Sequence, residues 1–180
     1  VVGSGKRPKN SGPDSVAVFA NGDDGNSRVL QVSDLIGDES SRTGLHAFDV
    51  VDDINIVAIP DGEGRIEIMS AGMTYCENRG DCFFIADSME EQTPTQILET
   101  KLLNYSSSFG ALYYPWISVN DQLDPRGGTR LIPPSGSIAG IISRTDVARG
   151  VHKAPAGISE GRVRGLVILK KYFPKVNMTF

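Results

Sequence analysis

The sequence is poor in the residues that build reactive sites, with 2 cysteines, 2 histidines and 1 tryptophan among 180 residues. It also has no apolar run near the roughly 20 residues that a membrane-spanning helix needs, so we expect no direct membrane insertion. The chain begins at Val1 without an initiator methionine or a charged segment followed by an apolar one. We therefore expect a fragment or a processed product with no secretion signal.

The two cysteines, Cys76 and Cys82, lie in the segment CENRGDC without a second cysteine pair. His46 and His152 are distant from them in sequence, so the ligand spacing of a zinc site is missing and we predict no bound metal. A disulfide between the two cysteines is compatible with their spacing. Two buried thiols in a reducing compartment are the favoured interpretation.

Charge is distributed unevenly along the chain. Residues 144–180 contain eight Lys and Arg against two Asp and Glu, which leaves a net charge of −10 for residues 1–143. Such asymmetry favours head-to-tail packing of subunits or contact with an acidic partner, and a solvated basic tail explains it equally well. Nucleic-acid binding is not predicted, because the chain has no basic stripe with interleaved aromatic side chains.

Hydrophobic periodicity predicts strands that alternate with helices. The predicted strands, in chain order, are Ser15–Ala20, Arg28–Val32, Ile54–Ile59 and Cys82–Ala86. A helical turn is predicted at Ser33–Asp38, and a helix over Arg65–Asn78 that is closed by Gly80. A further helix is predicted to begin with the capping box Thr93–Gln96 and to carry Ile97, Leu98, Leu102 and Tyr105. Alternation of this kind predicts an α/β fold, with a mainly parallel central sheet and helices on its faces.

The stretch from Ala111 to Ala156 contains the most informative residues. Ala111–Val119 mixes aromatic and β-branched residues, which predicts a strand. Pro115 cannot donate a ladder hydrogen bond, so the strand must be bulged, at an edge, or leaving the sheet there. Asp124–Gly128 has turn residues, and Thr129–Ile132 is predicted to return as a second strand.

A helix is predicted to follow the stop at Pro133-Pro134. Ser135 is the predicted N-terminal cap, and Gly150 the C-terminal stop. The apolar positions that follow the spacing of one helical face are Ile138, Ile141 and Ile142, with Ala139 and Ala148 added to them.

These motifs resemble, in order and spacing, the signature region of contractile tail sheath proteins of myovirus-type phages and phage-tail-like contractile injection systems. The matching residues are Arg42–Ala47, Tyr113–Trp116, Pro133–Gly136, Ala139-Gly140, Arg144–Asp146, Arg149–Val151 and Lys153–Ala156. Ser137 departs from the family, which often has histidine there, and His152 departs from a frequent tryptophan. So many residues in one order are far more specific than any single short motif.

The resemblance implies a structural protein rather than an enzyme, with no cofactor. It implies a fragment of a larger sheath subunit, with an N-terminal linker and short strands at residues 1–40, an α/β sheath core at 41–157 and the start of a further C-terminal segment at 158–180. The implied partners are copies of the same chain in stacked hexameric rings, an inner tail tube, and baseplate and tail terminator proteins. The implied location is the tail sheath of a virion, assembled in the bacterial host cytoplasm.

Two groups of residues are expected to matter within that family. Candidates for subunit contacts are the charged residues Arg126, Arg130, Arg144, Asp146, Arg149 and Lys153, although local stabilisation of loops and helix ends explains them equally well. Candidates for specifying the fold are Tyr113, Tyr114, Pro115, Trp116, Pro133, Pro134, Ser135 and Gly136.

The alternative from another class is a small-molecule or nucleotide-binding α/β enzyme. Asp61–Glu67 follows a predicted buried strand and opens a helix, as a dinucleotide-binding loop does. Glu67 stands where that loop needs a third glycine, and carboxylates at a helix N-terminus repel a pyrophosphate. His46 lies near Asp49, Asp52 and Asp53, but no nucleophile or oxyanion donor is near them in sequence, so a structural role at a subunit or strand boundary is favoured.

Overall fold

The computed structural model describes residues 30–90, 92–99, 107–157 and 161–163, and the backbone of residues 166–169. Within those ranges the helices are α1 (Val32–Ile36), α2 (Ile66–Arg79), α3 (Pro94–Glu99) and α4 (Ser135–Arg149), with 3₁₀ helices at Gly44–Val50 and Pro60–Gly62. The strands are β1 (Ile56–Ala58), β2 (Phe83–Asp87), β3 (Gly110–Tyr113), β4 (Ile117–Asn120), β5 (Thr129–Ile132) and β6 (Leu166–Leu169).

Strands β1, β2 and β3 form a parallel sheet in that order. Val57 pairs with Phe84, and Ile85 pairs with Ala111. Parallel neighbours need a crossover connection, which α2 supplies between β1 and β2. The predicted α/β fold with a parallel sheet and packed helices is confirmed.

Helix α2 packs on one face of this sheet. Its buried residues include Ile68, Met69, Met73 and Cys76, which recur at helical spacing. A Cβ at Gly72 would lie 2.3 Å from the Phe84 ring, so only glycine permits this close approach of helix and strand. The helix ends as predicted at Gly80, whose left-handed backbone (φ +75°) suits glycine.

Helix α4 covers the opposite face of the sheet. Phe84 belongs to the core cluster that includes the buried residues of α2, and Ile85, the next residue along β2, is fully buried as well. Successive side chains of a strand point to opposite faces, so Ile85 faces away from α2. Because α4 contacts both β1 and β2, it fills that second face, with Ile141 as its buried apolar residue.

A second sheet contains β5, β4 and β6 in that order, and both pairings are antiparallel. The single strand predicted over Ala111–Val119 is therefore wrong, because two strands in two sheets occupy it. Pro115 lies between them and cannot donate to a ladder, so the chain leaves the parallel sheet after Tyr113. The predicted returning strand at Thr129–Ile132 is confirmed.

Other predictions are settled by the described residues. The capping box is confirmed, since the Gln96 amide donates to Thr93 Oγ1 (3.3 Å) and the Thr93 amide donates to Gln96 Oε1 (2.8 Å). The predicted strand Arg28–Val32 is wrong at its C-terminal end, because Val32 is the first residue of helix α1. Leu98 and Ala148 are exposed rather than buried. Predictions outside the described residues are Ser15–Ala20, Leu102 and Tyr105.

The predicted strand Ile54–Ile59 is also longer than the observed β1. Pairing limits the strand, because among the described residues β1 pairs with β2 alone and their register begins at Ile56 and Phe83. In the part of the chain that the structure describes, no helix is long and apolar enough to cross a membrane. The same residues contain no group of three potential metal ligands.

Candidate functional site

Two of the predicted motifs meet at the C-terminal end of β2. The Trp116 indole N–H donates to the Ser88 carbonyl at 2.7 Å. The Ser135 amide N–H donates to Asp87 Oδ1 at 2.9 Å. Because Asp87 and Ser88 are consecutive and both buried, two neighbouring residues hold the start of β4 and the start of α4. We call this contact region the joint.

Asp87 takes over the role that the sequence assigned to Ser135. Helix α4 begins at Ser135 itself, so this residue is the first residue of the helix rather than the residue before it. The prediction that Ser135 caps α4 is therefore wrong, because a carboxylate 48 residues earlier accepts the hydrogen bond from the first helical amide. No local pattern marks such a cap; the available signal is an acidic residue at the end of a buried strand.

Burial controls the charge of Asp87. The residue is only 1% exposed. Desolvation raises the pKa of its carboxyl above the ordinary value, and hydrogen bonding to Ser135 offsets only part of that shift. The carboxyl can therefore cap α4 in either protonation state through Oδ1, while its ionised form is penalised by burial.

The remaining residues predicted to specify the fold surround the joint. Tyr113 ends β3, the Tyr114–Pro115 peptide bond is cis, and Trp116 directly precedes β4. Tyr113 and Tyr114 are half-buried. Trp116 is buried, and so is Pro134, which directly precedes α4. Pro133 ends the β5 segment, and Gly136 is exposed in the first turn of α4. Their role in specifying the fold stays a prediction.

The predicted contact residues fall into three places. Arg126 and Arg130 are exposed around the β4–β5 hairpin. Arg144 and Asp146 are half-buried on α4, and the Arg144 guanidinium donates to the Arg162 carbonyl at 3.1 Å. Arg144 thus makes a local contact within its own chain. Arg149 and Lys153 lie at and after the end of α4 and are exposed.

A polar network holds the segment around His46. Tyr75 donates its hydroxyl to Asp49 Oδ1 at 2.8 Å, and His46 Nδ1 lies 3.2 Å from Asp49 Oδ2. The hydrogen bond from Tyr75 is the main reason that the pKa of Asp49 is lowered. The His46 and Tyr75 rings meet edge to face, with centroids 5.7 Å apart. These contacts hold the 3₁₀ helix against α2, and a role of His46 at a subunit or strand boundary stays a prediction.

Arg79 forms hydrogen bonds at the C-terminal end of the same 3₁₀ helix. Its guanidinium donates to the carbonyl of Phe48 at 2.7 Å and to the carbonyl of Val51, and it pairs with Asp81 at 2.7 Å. The Phe48 carbonyl also accepts a hydrogen bond from the Val51 amide at 3.0 Å, so Arg79 adds a second donor at the C-terminal end of this helix. An open cleft of about 670 Å³ lies along this region. Its acidic lining residues are Glu39, Asp49, Asp52 and Asp81.

Comparison with known proteins finds similarity among solved structures. No protein-family model matches the chain, and no curated protein matches it. Among solved structures, the chain is similar to the contracted helical sheath of the anti-feeding prophage, determined by cryo-EM. That match has 28% identity and a TM-score of 0.47, and it covers 67% of this chain and 31% of the sheath chain. The chain therefore spans about a third of the length of the sheath chain that it matches.

The loop that resembles a dinucleotide-binding turn has a packing role. Gly64 adopts a left-handed backbone (φ +71°), and a Cβ there would lie 2.3 Å from the backbone carbon of Ser88. This glycine therefore lets the loop approach the joint, and a phosphate is not needed to explain it. Glu67 lies in the first turn of α2, where a carboxylate stabilises the helix dipole and repels an anion.

Proposed function

We propose that this chain is the α/β core portion of a structural subunit of a contractile tail sheath. Such a subunit polymerises as stacked hexameric rings around an inner tail tube, between a baseplate and a tail terminator. Contraction of the assembled sheath drives the tube through a target cell envelope. The subunit acts in the tail sheath of a virion, or of a phage-tail-like particle, assembled in the bacterial host cytoplasm.

The single observation that carries the proposal is the ordered set of motifs between Arg42 and Ala156. Two features of the fold support it. The Tyr-Tyr-Pro-Trp and Pro-Pro-Ser-Gly motifs both have hydrogen bonds to Asp87-Ser88, so they act together in one structural joint. The final motifs lie in an exposed segment after α4, where residues 151–157 are all accessible to a neighbouring molecule.

The role is mechanical, and it needs no catalytic residue in this chain. A lattice assembled in a metastable extended state contracts when its subunits repack into contacts of lower free energy. Many modest contacts, repeated in every subunit, set that free-energy difference. Neither a nucleotide nor a metal has to enter such a step.

Electron microscopy of the full-length protein, with and without its tube partner, tests the proposal. We expect rings or tubes with a regular helical repeat, and longer ordered tubes when the inner tube is present. A protein that stays monomeric at high concentration, with and without the tube, would contradict the sheath function. Thermal shift against a nucleotide panel tests the enzyme alternative: a saturable rise in Tm with one nucleotide would favour it.

A further inference from the structure

One exposed segment combines apolar and acidic side chains. Residues 47–53 are all exposed and follow in the order Ala, Phe, Asp, Val, Val, Asp, Asp. Phe48 is 43% exposed and Val50 60% exposed, although both are large apolar side chains. We call Phe48, Val50, Val51, Asp52 and Asp53 the acidic patch. Arg79 and Tyr75 hold its backbone and Asp49 in place, so the patch is presented by an ordered segment.

A second exposed segment has the same apolar character and the opposite charge. Val147 is 91% exposed and Val151 is 87% exposed. Arg149 and Lys153 are interleaved with them in sequence and are exposed too. We call these four residues the basic patch. The backbone is ordered here as well, since the Gly150 amide donates to the Asp146 carbonyl (2.9 Å) and the Lys153 amide donates to the Gly150 carbonyl (3.1 Å).

The two patches complement each other in both respects that determine association. Each presents two or three apolar side chains to solvent, and clustered exposed apolar residues mark sites of protein contact. The exposed charged side chains of the acidic patch are negative and those of the basic patch are positive, while the half-buried Asp146 precedes Val147. Opposite charges across an interface guide encounter and fix register, while like charges disfavour wrong pairings.

A second copy of the chain is the occupant that fits both patches. Both patches are exposed in the same molecule, so neither is covered by the other within one chain. A patch that carries one sign of charge also cannot pair with its own copy across a two-fold axis, because like charges would meet. The complementary arrangement is heterologous, in which patch meets different patch and subunits repeat head to tail.

We propose that the acidic patch of one subunit binds the basic patch of a second copy. This inference rests on the proposed sheath function, for which it names the residues of one subunit contact. Of the six residues predicted to make subunit contacts, Arg149 and Lys153 belong to this interface. Their partners in the second copy are Asp52 and Asp53. Heterologous contacts of this kind generate rings or helical filaments.

Pairwise disulfide cross-linking of the full-length protein tests the contact. One preparation has Val51→Cys, a second has Val151→Cys, and the two are mixed and mildly oxidised. We expect a covalent dimer in the mixture and little dimer in either preparation alone, because only unlike patches meet. The wild-type full-length protein is the background control, and the two cysteines of the chain described here, Cys76 and Cys82, are buried. The matched geometric control mixes Val51→Cys with Leu123→Cys, which places a cysteine at another exposed apolar position.

Charge reversal makes the test specific. Adding Asp52→Lys and Asp53→Lys to the Val51→Cys variant should slow dimer formation about tenfold, which corresponds to about 1.4 kcal/mol. Adding Arg149→Glu and Lys153→Glu to the other variant should restore the rate, since the charges are again opposite. Glu77→Lys, an exposed acidic position on α2, is the control for a general change in charge and should leave the rate unchanged.

The outcomes separate this inference from the sheath function. Electron microscopy of the same mixture shows whether rings or tubes form. Tubes without a preferred cross-link between the two variants would overturn the contact and leave the sheath function standing. A preferred cross-link without rings or tubes would support the contact and count against the sheath function. A dimer formed equally well by Val51→Cys alone would overturn the head-to-tail arrangement.

Discussion

Replacement of Asp87 tests the main structural claim, that a buried carboxyl from β2 caps α4. Asp87→Ala removes the acceptor of the Ser135 amide, which is 2.9 Å away. Loss of an N-terminal cap costs about 0.5–2 kcal/mol, and leaving a buried donor unsatisfied costs about 1–3 kcal/mol. These figures describe the same hydrogen bond, so we expect the free energy of unfolding to fall by about 1–3 kcal/mol. Ser135→Ala should cost less, because the Ser135 hydroxyl is not the cap.

Asp87→Asn isolates the contribution of the charge. The amide keeps an acceptor for the Ser135 N–H and cannot ionise. Burial raises the pKa of the Asp87 carboxyl in the folded protein above its ordinary value of 3.8, so the folded state holds the proton more tightly than the unfolded state. This contribution to stability is complete below the unfolded pKa and is lost as the pH rises through the folded pKa. Asp87→Asn should remove that part of the pH dependence.

Urea unfolding, followed by circular dichroism from about pH 4 to pH 7.5, measures both effects on full-length protein. The control is Glu77→Ala, an exposed position on α2, which should change stability by no more than about 0.5 kcal/mol. The reasoning fails if Asp87→Ala is as stable as the wild type. It also fails if Asp87→Asn keeps the pH dependence of the wild type in full.

Two further predictions concern the joint and the core. Trp116→Phe removes the donor to the buried Ser88 carbonyl and should lower the free energy of unfolding by about 1–3 kcal/mol in the same urea assay. The control is Tyr113→Phe, at a half-buried position, and a loss for Trp116→Phe no larger than the loss for this control would contradict the prediction. Cys76 and Cys82 are buried, their sulfurs are 3.2 Å apart, and burial raises the pKa of both thiols. Both should therefore resist an aromatic disulfide reagent at pH 8 in the native protein and react fully in urea; rapid reaction of the native protein would refute this.

The sequence was most informative where a structure depends on neighbouring residues. Helix α2 was predicted to within one residue at each end, because apolar spacing and a glycine stop act within a few turns. The capping box at Thr93 and Gln96 was predicted correctly for the same reason, since both hydrogen bonds span three residues. The alternation of strands with helices was sufficient to predict the parallel sheet.

The candidate site was predicted only in part. The motifs indicated which segments matter, and Pro115 limited the strand to three possible behaviours. They did not indicate that Asp87 and Ser88 connect those segments, because the contacts span 48 and 28 residues and no periodicity encodes them. Nor did the sequence indicate that the Arg144 guanidinium donates to the Arg162 carbonyl of its own chain.

The sequence by itself determined the local elements, the α/β class and the separation of charge along the chain. These follow from backbone preferences and side-chain periodicity over a few residues. Tertiary structure alone decided that the chain changes sheets at Pro115, that Asp87 rather than Ser135 caps α4, and that two oppositely charged apolar segments are both exposed. The physical reason is that strand partners, buried caps and exposure depend on residues that are distant in sequence and adjacent only after folding.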